Sequence, residues 1–256
     1  MSTASPLLRI DGVTVRFGGI VALDGVSFDV RQGDICALIG PNGAGKSTLF
    51  NCLSRLYDCE RGSLEFNGQS ITRLPRHRMA ELGIGRTFQN LALFGSMTVR
   101  DNVLVGCHSQ HHAGFLRNAL RLPGVARIEA AAAEQADSLI ELLGLQAEAQ
   151  RVVADLPFGT QKRVELARAL AMAPKLLLLD EPACGLNHEE LDSLGALIRQ
   201  IRDRLNITVL LVEQNIHFAQ WVSDRAYVLE KGQIRHEAPM ADLARDQDIQ
   251  RQFLSV

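Results

Sequence analysis

Residues 40–47 read Gly-Pro-Asn-Gly-Ala-Gly-Lys-Ser and fit G-x-x-x-x-G-K-[ST] at every fixed position. An apolar run, Ile35 to Ile39, comes before them. Leu49, Leu53 and Leu56 follow on one helical face. The pattern predicts a strand, a glycine-rich loop and a helix beginning near Lys46. Glycines let the backbone curl until successive N–H groups face phosphate oxygens, and the helix adds its positive N-terminal end. This reading makes Gly40, Pro41, Asn42, Gly43, Ala44, Gly45 and Thr48 a phosphate cradle. It sends the Lys46 ammonium to the β- and γ-phosphates of ATP and gives the Ser47 hydroxyl to Mg2+. The competing reading is a tight glycine turn between strand and helix.

A second stretch, Leu176 to Pro182, reads L-L-L-L-D-E-P. Its apolar residues predict a buried strand that leaves Asp180 and Glu181 at its C-terminal end, the edge where open α/β sheets bind ligands. Asp180 is placed to hold Mg2+, and Glu181 to act as general base on an attacking water. The competing reading is a carboxylate pair capping a strand in solvent, which the phosphate loop upstream disfavours.

Around these stretches the chain alternates between strand and helix signals. Leu7 to Val15 and Val26 to Val30 read as short strands, and Ser63 to Phe66 as another, closed by the Asn67-Gly68 turn. Together they predict an antiparallel sheet beside the loop. Val125 to Leu143 is alanine-rich and helical, with Gly144 as its cap. Leu191, Leu194, Ile198, Ile201 and Leu205 mark a helix face, Ile207 to Val212 a buried strand, and Arg225 to Glu230 with Gln233 to Glu237 a hairpin turning at Lys231-Gly232.

The 256 residues carry a net charge of −2, which argues against nucleic-acid binding driven by bulk charge. No apolar run approaches the length of a membrane span, and the first residues do not read as a signal peptide. The five cysteines form no C-x-x-C pair and are expected to be reduced thiols, with Cys36 and Cys52 packing in the interior. His108, His111 and His112 read as a solvated loop.

Between the two acidic and phosphate-binding halves lie T-F-Q-N (Thr87 to Asn90) and L-P-F-G-T-Q-K-R-V-E-L-A-R-A-L (Leu156 to Leu170). In this order the motifs resemble the nucleotide-binding subunit of ABC transporters across nearly the whole chain. Gly83 to Val103, the Leu156 segment and D-E-P-A-C-G-L-N are similar to the branched-chain amino acid importer group. The resemblance implies an α/β fold: a P-loop NTPase (RecA-like) parallel-sheet core with an N-terminal antiparallel β-subdomain and an inserted helical subdomain. It implies one ATPase domain over residues 5–255, with the helical part at 91–155 and a tail at 1–4.

It also implies roles for single residues. Phe17 matches the ring that stacks on adenine, or is a strand-core Phe. Gln89 matches the glutamine that touches Mg2+ and relays nucleotide binding to membrane subunits. Gly159 and Thr160 match the signature loop that closes over ATP held by a second, head-to-tail ATPase subunit, with a helix starting near Gln161. Lys162, Arg163 and Arg168 read individually as a solvated basic face. Leu91, Leu93, Phe94 and Met97 are either a docking surface or core of the helical region.

Three positions depart from the family pattern. Pro157 replaces the usual signature serine. Gln214 stands where the family has a γ-phosphate-sensing His; His217 is three residues away and in the wrong register. Asn187 replaces an Asp. The expected partners are integral membrane permeases, a second ATPase subunit and, indirectly, a periplasmic or extracellular substrate-binding protein, with no nucleic acid. The expected location is the cytoplasmic face of the membrane. Cassettes for urea, amides, lipid or polysaccharide, and non-transport ABC ATPases, are the alternatives. A GTPase reading lacks N-K-x-D.

Overall fold

The structure, a computed structural model, describes residues 6–87, 91–107 and 125–243. It forms two compact units, Met1–Met79 with Leu178–Val256, and Ala80–Leu177. The first unit opens with β1 (Leu8–Phe17), β2 (Ile20–Val30), β3 (Ile35–Ile39), α1 (Lys46–Leu53), β4 (Arg61–Phe66) and β5 (Gln69–Ser70). Helix α2 (Arg78–Leu82) leads into the second unit, which holds β6 (Ile84–Arg86), α3 (Val99–Cys107), α4 (Val125–Leu142) and α5 (Phe158–Leu170). Strand β7 (Leu176–Asp180) leads back to α6 (His188–Leu205), β8 (Thr208–Glu213), α7 (Ile216–Val222), β9 (Arg225–Glu230), β10 (Gln233–Pro239) and α8 (Met240–Leu243).

Two sheets build the first unit. The antiparallel one has the order β2-β1-β4-β5. Its strands are longer than the sequence pattern predicts, because β1 runs through Phe17 and only Gly18-Gly19 separates it from β2. Along β1, Leu8 and Ile10 point inward and Arg9 and Asp11 outward. A register shift after Ile10 then places Val13, Thr14 and Val15 all inside. Gly12, with φ +60°, sits in this irregular stretch.

The other sheet runs β10-β9-β3-β8-β7 within this unit. Every residue of β3, β7 and β8 is buried. Such uninterrupted runs, rather than an alternating pattern, suit strands shielded from water on both faces. Each fully buried aliphatic side chain contributes about 1.5–3 kcal/mol, so these short strands form a dense apolar centre. β8 and β9 both lie parallel to β3. Ile39 is opposite Glu213 on one side and Val228 on the other. The residues that follow β3 and β8 therefore emerge side by side.

In the second unit, the N–H groups of Lys175 and Leu176 reach Gly83 O at 2.8 and 3.1 Å, seating β6 beside the start of β7. Helices α3 and α5 meet where a Cβ on Gly106 would lie 2.4 Å from Arg168 O, so only glycine fits there. Asn102, fully buried, gives Nδ2 to Phe94 O and Thr98 O, and its Oδ1 accepts from Phe94 N at 2.9 Å. That amide fastens the segment ahead of α3.

Four sequence expectations need correction. Leu56 is not on the first helix; α1 ends at Leu53, Arg55 takes a left-handed φ of 56°, and Leu56 is exposed. Leu205, at the end of α6, is also exposed. The signature helix starts at Phe158, not near Gln161, because Pro157 is preorganised as its N-cap residue. Lys162 and Arg168 are not a solvated basic face. Lys162 is buried with Nζ 5.3 Å from the Phe158 ring centroid. Arg168 donates to Ala92 O at 2.5 Å and lies over the Phe94 ring, and burial pushes its guanidinium below the ordinary value.

Candidate active site

The phosphate loop is shaped by what surrounds its glycines. A Cβ on Gly40 would stand 2.1 Å from Leu229 O, the backbone of the neighbouring strand. Gly45, with φ +108°, faces Ala22 O at 2.5 Å from the same hypothetical atom. Ala44 O accepts from Gly232 N at 2.9 Å, and Gly232 O accepts from Asp24 N at 2.8 Å. The loop is thus clamped between β2 and the β9–β10 turn. Gly232 is a supporting residue that the sequence reading treats only as a hairpin turn. Pro41, Asn42, Gly43 and Ser47 are exposed, while Ala44 and Lys46 are buried and Thr48 is half-buried.

Lys46 opens α1, and its Nζ donates to Gly40 O at 2.6 Å and Pro41 O at 3.0 Å. These bonds hold the ammonium at the mouth of the loop. Burial pushes its pKa down, while the carboxylates of Glu181, Glu213 and Asp180 act in the opposite direction. One cation is therefore set among three carboxyl groups.

Asp180 ends β7 and is 4% exposed. Glu181 follows it in a left-handed conformation, φ 48°, which is uncommon for a residue with a Cβ and costs about 1–3 kcal/mol. Its N–H donates to Val212 O at 3.0 Å and its C=O accepts from Cys184 N at 3.1 Å. That turn aims the carboxylate away from the direction a continuing strand would give. Gln214 meets it, donating from Nε2 to Glu181 Oε1 at 2.5 Å. His217 instead lines a pocket with His188, Phe218 and Trp221.

Sequence reading missed Glu213. It ends β8, is 2% exposed, and accepts three backbone N–H groups: Ala183 on Oε1 at 2.8 Å, and Gln214 and Asn215 on Oε2 at 3.1 and 3.2 Å. Burial pushes its pKa up and these hydrogen bonds pull the other way. The signal was available: an apolar run ending in an acid, as at Asp180.

Phe17 ends β1, is 46% exposed, and meets Tyr57 edge-on with ring centroids 5.2 Å apart. A half-exposed ring is not a strand-core Phe. Tyr57 is a second aromatic there that the sequence reading did not single out. Gly159 and Thr160 belong to the second unit, in the first turn of α5, both half-buried. Asn187 caps α6 by accepting from Glu190 N while Glu190 Oε2 accepts from Asn187 N, both at 3.0 Å. An amide oxygen performs that task as an aspartate would. Gln89 and the His108–His112 cluster lie outside the described residues.

The fold and the Lys46–Asp180–Glu181 constellation define a P-loop nucleotide-binding protein. The family model for ABC transporters matches residues 23–184. The chain is 38% identical over 251 residues to the high-affinity branched-chain amino acid transport ATP-binding protein LivG of Salmonella typhimurium, covering 98% of each. It is 41% identical over 237 residues to the high-affinity branched-chain amino acid transport ATP-binding protein BraF of Pseudomonas aeruginosa, covering 93% of this chain and 91% of that one. Among solved structures it resembles the ADP conformation of an ATP-binding cassette of an ABC transporter, with TM-score 0.82 and 28% identity, covering 99% of this chain and 100% of the other. The chain belongs to the ABC transporter ATP-binding family.

Proposed function

We infer that this chain is the ATP-hydrolysing subunit of an ABC importer for branched-chain or related amino acids. The observation that carries the catalytic reading is Glu181 held by Gln214 beside the strand that feeds the phosphate loop. Relatives that transport branched-chain amino acids support the cargo.

In this reading the loop N–H groups and Lys46 bind the triphosphate, and Phe17 stacks on adenine. Glu181 Oε takes the proton of the attacking water, and the Gln214 amide fixes that carboxylate's orientation. The buried Asp180 carboxylate and the Ser47 hydroxyl are hard oxygen donors that suit Mg2+, with Gln89 as a third. When bound, the ion neutralises charge on the phosphates.

The other half of the site comes from a second ATPase subunit, whose Gly159 and Thr160 at a helix N-terminus face the γ-phosphate. No helix among the described residues is long and apolar enough to cross a membrane. Exposed Phe94 and Met97 offer a docking face for integral permeases on the cytoplasmic side, with cargo delivered by an external binding protein. Purified with its permeases in proteoliposomes, the complex is expected to import labelled leucine, isoleucine or valine only with ATP. Uptake of urea or an amide instead would overturn the cargo assignment.

Gln214 is a neutral donor where relatives of the family pattern carry a group able to hold a proton. Gln214→His is expected to raise ATP turnover about fivefold, since a cationic donor to the Glu181 carboxylate exceeds a neutral amide donor by ~1 kcal/mol. A large drop in turnover would show that the amide is not a weaker substitute.

A further inference from the structure

We propose that Glu213 is a positioning residue that couples the turn carrying Glu181 to the turn carrying Gln214. This rests on the reading of Glu181 and Gln214 as the water-activating pair. The carboxylate occupies the space between two chain segments that are distant in sequence. Oε1 holds Ala183, two residues beyond Glu181, and Oε2 holds Gln214 and Asn215. The Glu181 N–H is bonded to Val212, the residue before Glu213. Glu181 is thus tied to the end of β8 at both sides of its own left-handed turn. Gln214 is tied through its N–H to the same carboxylate. The side-chain bond from Gln214 to Glu181 spans between these two fixed points.

The chemistry of the group explains why it is an acid. Three N–H donors converge on it from two directions. An ionised carboxylate has acceptor sites on both oxygens and no proton to oppose a donor. A glutamine has one acceptor oxygen, so its NH2 must face either Ala183 N–H or the Gln214 and Asn215 pair. One of the two turns would then lose its anchor, with backbone donors left opposite another donor. An apolar residue could fill the volume but would bind neither turn. A carboxylate this deeply buried is retained only where it is well hydrogen-bonded, and these two turns supply those bonds.

The test is a double-mutant cycle on the purified full-length ATPase in its transporter complex, reading phosphate release and the Kd of a fluorescent ATP analogue. Glu213→Gln is expected to lower turnover roughly 30-fold, the size of one unsatisfied buried donor, with Kd within about threefold of the parent. Gln214→Ala alone gives a smaller loss, and the double variant falls no further than Glu213→Gln, because without the carboxylate that anchors both turns Gln214 is already out of place. Multiplying losses, or an equal loss in Kd and turnover, would overturn the proposal. Should Glu213→Gln not fold, Glu213→Asp keeps the charge but shortens the reach and is read in the same cycle. Failure of both to fold would make Glu213 a folding residue and also overturn the proposal. Glu181→Gln separates the underlying reading: a parent-like rate there removes the water-activating pair itself. A stalled Glu181→Gln with a parent-like Glu213→Gln removes only the coupling.

Discussion

Glu181→Gln is expected to cut ATP turnover by about 10²–10³-fold while nucleotide binding stays at least as tight as in the parent. The substitution is isosteric, so the left-handed backbone at φ 48° and the bond from Val212 persist. The amide oxygen can still accept from Gln214 Nε2, which keeps the side chain where the carboxylate stood. Only proton acceptance is lost. Binding is preserved because the triphosphate is anionic, and removing one of the carboxylates near Lys46 lowers repulsion at the loop. In the assembled pair of ATPase subunits, ATP should therefore accumulate with the dimer closed. Steady-state phosphate release, equilibrium binding of a fluorescent analogue and size-exclusion chromatography with ATP measure the three parts separately. Parent-like turnover would remove Glu181 as the base.

Gly40→Ala is expected to abolish nucleotide binding and lower stability by about 3 kcal/mol. The added Cβ would be 2.1 Å from Leu229 O. That atom belongs to the backbone of β9, which is paired to β3 on one side and β10 on the other, so it cannot yield as a side-chain tip would. Relief requires the loop to leave the sheet, taking the phosphate-facing N–H groups with it. Gly43→Ala is the internal comparison. Gly43 has φ +77° with nothing within 4 Å, so the cost there is confined to backbone strain of about 1–2 kcal/mol. Thermal denaturation and ATP-analogue titration of both variants should show Gly40 as the more damaging site in both readouts. Equal effects would mean that steric closure against β9 does not shape the loop.

The two motifs were legible because each couples a local pattern to a chemistry. A buried apolar run must stop where polar groups begin, and at Gly40 and Asp180 the change in residue type marks that edge. The same rule applied to Val212-Glu213, but a lone acid after a strand says nothing about which backbone donors will surround it. Lys162 and Arg168 were misread for a related reason. Helical spacing puts basic residues on a face, yet whether that face meets water or a ring such as Phe94 is decided by segments far away in the chain.

The sequence by itself determined the strand–loop–helix, the acidic strand end and the order of motifs, because these depend on residue type and short spacing. Tertiary structure alone decided why Gly40 must be glycine, since the obstructing carbonyl is Leu229. It alone brought the Gln214 amide onto the Glu181 carboxylate. It also gathered Ala183, Gln214 and Asn215 onto Glu213. Each is a meeting of backbone from different strands, and sheet pairing, not local preference, sets which atoms meet.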